Sequence, residues 1–187
     1  ISVFDANTDE YLRNFGSEGS ANGQFNFPTS LVISTISDPP MVYISDCWNN
    51  RIQVHEALTG DYARTIGQGE GAELGQLDLP TGVKLVSLSN PAREWLIFCE
   101  IGNERVQIFD IVTGDPIKII AEGYNPCDVT VYSPPDCSSP PLLFVIESAN
   151  NRISVIDLES GQHPDRLAEQ RQVFDRSEER RVGKECR

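Results

Sequence analysis

A short arrangement that recurs three times predicts an all-β chain, a β-propeller of four-stranded antiparallel blades of which about three and a half are present. The first observation is the arrangement itself: an acid, an Asn three residues on, an Arg two residues after the Asn, then an apolar run. Asp46, Asn49 and Arg51 form one copy, Glu100, Asn103 and Arg105 a second, and Glu147, Asn150 and Arg152 a third. The second observation is spacing. Arg51, Arg105 and Arg152 lie 54 and 47 residues apart (105 − 51 and 152 − 105), and Gly60, Gly114 and Gly161 keep the same two intervals. The third is that the apolar runs span only four to six residues between turn-rich segments, too short for helices. Periods of roughly 40 to 50 residues built from short strands belong to propeller blades.

Taken in order, residues 1–4 and 11–15 read as the last two strands of a blade remnant over residues 1–16. Three repeats follow, over residues 24–66, 77–120 and 124–163. A Gly-rich stretch leads into the first strand of each of the first two, because repeated glycines permit the positive φ of a long loop crossing from one blade's outer edge to the next blade's inner strand. Pro28, Pro80 and Pro126 mark where those first strands begin. Second strands begin at Met41, Trp95 and Leu142; they are apolar without alternation, as expected where both sheet faces are covered. Third strands start after each Arg, and fourth strands follow Gly60 and Gly114. After Gly161 no fourth strand is evident, and residues 164–175 are left unassigned.

Residues 176–187, RSEERRVGKECR, read as the in-frame translation of a sequencing-library adapter and are set aside as non-native. The whole chain carries a net charge of −13, and removing that tail's five basic and three acidic residues leaves about −15. Such a surface repels nucleic acid and anionic membrane and favours solubility or basic partners. Of five cysteines, Cys186 lies in the tail, and Cys47, Cys99, Cys127 and Cys137 follow neither a zinc spacing nor a disulfide framework. Separate reduced thiols are the expectation, with a Cys127–Cys137 loop bridge as the alternative. No apolar run reaches membrane-spanning length.

The repeated residues invite a structural role, since a catalytic group is needed once whereas a clamp is needed in every repeat. At the turn between second and third strands the acid accepts backbone N–H groups and the Asn takes the left-handed conformation. The Arg, with five donors, ties the turn to a neighbouring blade. Arg51, Arg105 and Arg152 are therefore read as inter-blade clamps, and Gly60, Gly114 and Gly161 as turn formers.

FGSEGSANGQFNFP (residues 15–28) followed by YISDCWNNRIQV (43–54), and IGQGEGAELGQLDLP (66–80) followed by FCEIGNERVQIF (98–109), resemble NHL repeats. The third repeat departs, with the short lead-in Gly123, Tyr124, Asn125 and Pro126 and with Glu147 where Asp is usual. The resemblance implies a six-bladed propeller, of which this chain holds roughly half. It also implies a binding platform for protein or RNA at one end, in several cases the substrate-recruiting part of a ubiquitin ligase. The acidic charge turns the expectation to protein and away from RNA, with Trp48, Asn49, Asn103 and Asn150 as candidate contacts, and Ile101 and Ser148 read as counterparts of Trp48. The rival is an enzyme resembling peptidyl-amidating lyases or lactonase-like hydrolases, which hold a metal in the central channel. That chemistry needs several converging His, Asp or Glu, and this chain has only His55 and His163. His55 aligns with Phe4, Phe109 and Ile156 and is expected to pack. Gly67, Gly69 and Gly71 lack the Lys and the helix of a phosphate loop and read as a connector. No catalytic residue, metal ligand or cofactor is assigned.

Overall fold

The computed structural model describes residues 1–89, 92–134 and 140–162. Their strands form three blades in succession. The first is the antiparallel meander β5 (Pro28–Ser34), β6 (Met41–Asp46), β7 (Arg51–Glu56) and β8 (Tyr62–Ile66). The second is β9 (Pro80–Ser89), β10 (Ala92–Glu100), β11 (Arg105–Asp110) and β12 (Pro116–Ile120). The third has β13 (Asp128–Tyr132), β14 (Leu142–Glu147) and β15 (Arg152–Asp157). Ahead of them β1 (Ser2–Phe4) pairs antiparallel with β2 (Tyr11–Asn14) in a two-stranded sheet. The two Gly-rich loops fold alike: β3 (Ser17–Glu18) runs parallel to β4 (Gln24–Phe25), and Glu70 bridges Leu77 in the same parallel sense. His163, Cys137, the stretch 164–175 and the tail 176–187 lie outside the described residues.

The third strands start at the three Arg residues themselves, and each acid pairs with its Arg across the hairpin: Asp46 with Arg51, Glu100 with Arg105, Glu147 with Arg152. Between strands three and four, Gly60, Gly114 and Gly161 take φ of 85°, 79° and 71°, which any side chain would strain. Their N–H groups close the turns on Glu56, Asp110 and Asp157 carbonyls.

The apolar side chains gather in layers between blades. Phe25, Val42 and Ile44 pack with Ile1 and Phe15 between the two-stranded sheet and the first blade. Tyr43, Ile52, Val54 and Ile66 meet Val83, Leu96, Phe98 and Phe109 between the first and second. Ile97, Cys99, Val106 and Ile108 meet Val129, Leu143, Val145 and Ile156 between the second and third. Burying an aliphatic or Phe side chain stabilises by about 1.5–3 kcal/mol, so these layers hold the stack. The expectation of second strands without alternation fits β6 and β10 and fails for β14, whose burial alternates toward its end. The reason is that, among the described residues, only one face of the third blade is covered: Ile52 and Val106 are 0% exposed, and Ile153 at the same position is 64% exposed.

Candidate functional site at the turn end of the blades

The turns between second and third strands and the loops leading into each blade emerge at one end, and the repeated motif joins them. Cys47–Asn49 and Ser148–Asn150 form single 3₁₀ turns. The left-handed residue is the next one, Asn50, Glu104 or Asn151, each at φ 51°. This corrects the expectation for the motif Asn: the hairpin's reversal needs positive φ at its last residue, and the Asn before it has another task.

That task is hydrogen bonding inside the motif. Buried Asp46 accepts from Asn49 Nδ2 at 2.9 Å, Arg51 Nε at 2.7 Å, Gln53 Nε2 at 2.9 Å and the Asn26 N–H at 2.7 Å. The same Asn49 amide donates to the Gly19 carbonyl at 2.9 Å, while Arg51 Nη2 donates to the Ala21 and Gln24 carbonyls at 2.9 Å. In the second blade Glu100 accepts from Asn103, Arg105 and Gln107. Asn103 also reaches the Gly71 carbonyl at 2.8 Å, and Arg105 reaches the carbonyls of Ala72, Glu73 and Gln76. In the third, Glu147 accepts from Asn150, Arg152 and Ser154. Burial pushes its carboxyl up, but the bonds from Ser154, Asn150 and Arg152 outweigh that and hold it below the usual value.

Both amide hydrogens of Asn49, Asn103 and Asn150 are thus directed inward, toward the acid and a lead-in carbonyl. The Arg residues likewise grip their own blade's acid and, in the first two blades, the loop arriving from the preceding blade, rather than the neighbouring blade's sheet. Two further motif members went unread. Gln53 and Gln107, two residues after the Arg, donate to the Gln24 and Gln76 carbonyls and accept from the Gly23 and Gly75 N–H groups. Their recurrence in two of three repeats was the available signal.

Direct blade-to-blade ties join inner strands, where Ser45 Oγ donates to the Thr81 carbonyl and the Val83 N–H to Ser30 Oγ, and a repeated set sits at the outer edge. Arg13 donates to the Ala57 carbonyl at 2.8 Å, Arg64 to the Ile111 and Val112 carbonyls, and Lys118 to the Leu158 and Glu159 carbonyls at 2.7 and 2.9 Å. In each case a cation on a fourth strand reaches the strand three-to-four turn of the following blade. Burial lowers the Lys118 ammonium below its ordinary value, with Asp157 and Glu159 opposing. The signal was again periodic: Arg13, Arg64 and Lys118 lie 51 and 54 residues apart (64 − 13 and 118 − 64).

Trp48 projects from its turn 60% exposed and stacks on Phe27, itself 57% exposed, at 4.9 Å between centroids and 15° between planes. Phe27 precedes Pro28 at φ 56°, a conformation that costs a bulky residue energy and that Leu79 shares at 50°. The hairpin register corrects the alignment of Trp48: its counterparts are Gly102 and Ala149, not Ile101 and Ser148. The N–H groups of Trp48 and Gly102 make the matching bonds to the Asn26 and Asp78 carbonyls, at 3.1 and 3.3 Å. A Cβ at Gly102 would meet the Asp78 carboxylate at 2.2–2.5 Å, so the second blade leaves that space to the acid.

His55 packs, in agreement with its apolar counterparts. Its ring lies among Phe15, Phe25 and Tyr62 at 5.4–5.7 Å and hydrogen-bonds the Gly60 carbonyl through Nδ1 at 2.9 Å. Burial lowers its pKa below the ordinary value, against the Gly60 bond. Cys47, Cys99 and Cys127 are free thiols. Among the described residues no three His, Cys, Asp or Glu side chains are grouped to hold a metal ion, and no helix is long and apolar enough to cross a membrane.

No family model and no curated protein matches the chain. Solved structures do resemble it. Hydrazine synthase of Kuenenia stuttgartiensis superposes with a TM-score of 0.54 and 17% identity over 78% of this chain and 36% of that one. The dihydro-heme d1 dehydrogenase NirN, solved in complex with DHE, superposes with a TM-score of 0.52 and 13% identity over 76% and 28%. This chain therefore spans about a third of their lengths. Both neighbours are β-propeller proteins, and at these identities the likeness is one of fold: the stacked antiparallel blades of this chain are those of a propeller.

Proposed function

We propose that this chain is a stretch of NHL-type propeller that binds other proteins at its turn end, recruiting them to a larger protein. The observation that carries the reading is the Phe27–Trp48 stack, exposed on a frame that the Asp46–Arg51 network holds rigid. Aromatic anchors held in place supply much of the energy of protein interfaces, because little ordering remains to be done on binding. The ubiquitin-ligase role rests on the repeat resemblance alone. RNA is disfavoured because Arg13, Arg51, Arg64, Arg105 and Lys118 all donate to carbonyls inside the fold and leave few cations for phosphate among the described residues.

The test is quantitative capture from cell lysate on the immobilised chain and on its Trp48→Ala variant, with circular dichroism to confirm equal folding. A protein retained by the first and reduced about thirty-fold by the second is expected, the size of one lost hot spot of about 2 kcal/mol. Equal retention, or retention of nothing, overturns the proposal.

A further inference from the structure

Resting on the protein-binding reading, we infer that the Phe27–Trp48 stack is the seat for an arginine-bearing basic segment of a partner protein. Three observations converge on that occupant. The first is the aromatic surface: a guanidinium is planar and weakly hydrated, and an exposed indole face is its best neutral partner. The second is a pair of carboxylates flanking the stack. Glu18 lines the same depression of about 360 Å³ that Phe25, Phe27 and Pro28 line. Asp78 adjoins the turn that carries Trp48, since the N–H of the next residue, Leu79, donates to Asn50 Oδ1 at 2.9 Å, and the Asp78 oxygens lie against Gly102. Neither forms an ion pair among the described residues.

The third observation is where the cations have gone. The three arginines of this end, Arg51, Arg105 and Arg152, are each paired with the acid of their own blade. The field left at the surface is that of unpaired acids, with Glu70, Glu73 and Glu104 exposed on the neighbouring loops. A basic segment is drawn to such an end before contact, and a neutral or acidic one is not. In the seated complex the guanidinium lies over Trp48 and its N–H groups face Asp78, with a second basic residue toward Glu18.

The experiment is fluorescence anisotropy of labelled nonapeptides of alternating Arg and Ser, with Lys, Gln or Glu replacing Arg in three controls, titrated with the full chain. The Arg peptide is expected to bind tightest, the Lys peptide a few-fold more weakly, and the other two not at all. Trp48→Ala should weaken the Arg peptide about ten-fold, Asp78→Asn about three-fold, and Glu159→Gln at the opposite end not at all. Arg-peptide binding that ignores both Trp48→Ala and Asp78→Asn overturns the site in favour of diffuse attraction. Equal binding of the Gln peptide through Trp48 overturns the basic partner while leaving the protein-binding reading standing, and that reading falls separately if capture from lysate does not depend on Trp48. Failure of every peptide to bind also overturns the inference.

Discussion

The first two blades and the third carry the same acid, Asn and Arg, and use them differently. Arg51 and Arg105 are 14% and 4% exposed, while the Arg152 side chain is 57% exposed and lies over the Tyr124 ring at 5.7 Å. The inner half of the network is the same in all three: the acid receives the Asn amide and the Arg Nε. What differs is the outer half, the carbonyls offered by the lead-in loop. The first two blades have a long Gly-rich loop to grip, and the third enters through only a few residues after β12. The motif is therefore two devices in one, a turn lock that needs only the hairpin and a loop grip that needs something to hold.

Substituting the Arg separates the two devices and should give the largest effect. Arg105→Ala leaves Glu100 buried without its cation and frees three loop carbonyls, and removing one partner of a buried pair costs about 3–5 kcal/mol. Arg152→Ala should cost less, because its side chain is more than half exposed and Glu147, though buried, keeps the bonds from Asn150 and Ser154. Urea unfolding of the two variants checks this, and equal losses would mean that the loop grip contributes nothing.

Exchanging the residue two after the Arg sharpens the comparison with a smaller effect. Gln107 bridges the Gln76 carbonyl and the Gly75 N–H, whereas Ser154 reaches only its acid. Gln107→Ser gives the second blade the third's shorter side chain while keeping an acceptor and donor near Glu100. It should cost about 1–3 kcal/mol, since a buried N–H loses its partner. Ser154→Gln, with no long loop to meet, should bring no gain. A stabilised Ser154→Gln in the same urea assay would refute the dependence on the loop.

Much of this was readable in advance, and the exceptions share a cause. Short strands and hairpin positions follow from periodicity alone, because a turn that recurs at a fixed offset must solve the same local problem each time, whereas the pairing of each acid with its own blade's Arg replaces the expected reach to a neighbouring blade. The left-handed residue was misplaced because Asn49–Asn50 and Asn150–Asn151 are indistinguishable by type, and only Glu104 in the second repeat shows that the position tolerates a residue poorly suited to it. The Arg13, Arg64 and Lys118 ties escaped notice because one cation on a half-polar strand looks solvated until the next blade's turn is in place. Phe27 was seen only as part of a glycine-rich connector. Its pairing with Trp48 depends on the loop bringing residue 27 beside residue 48, which no local pattern encodes.

The smallest expected effect concerns a core position where the first blade departs from the other two. His55 occupies the position that Phe109 and Ile156 fill, and its Nε2 is buried without a hydrogen-bond partner among the described residues. His55→Phe removes that orphaned nitrogen and the Nδ1 bond to Gly60, two opposing terms of similar size, so at pH 7.5 the change should stay within about 1 kcal/mol. Acid separates the variants. Burial, reinforced by the charges of Arg51 and the Ile1 amino group and opposed by the Gly60 bond and Asp61, keeps the folded pKa of His55 below the ordinary value of 6.5. Above that pH both states are neutral and the contribution to stability is complete. As pH falls below it the unfolded chain binds a proton that the folded one refuses, and stability declines by at most about 1.4 kcal/mol per pH unit until the folded pKa is reached. The carboxylates titrate in both proteins and cancel in the difference. The drop in unfolding free energy from pH 7.5 to 5.5 should accordingly be larger for the native sequence than for His55→Phe, and equal drops would show that the ring accepts its proton as readily folded as unfolded.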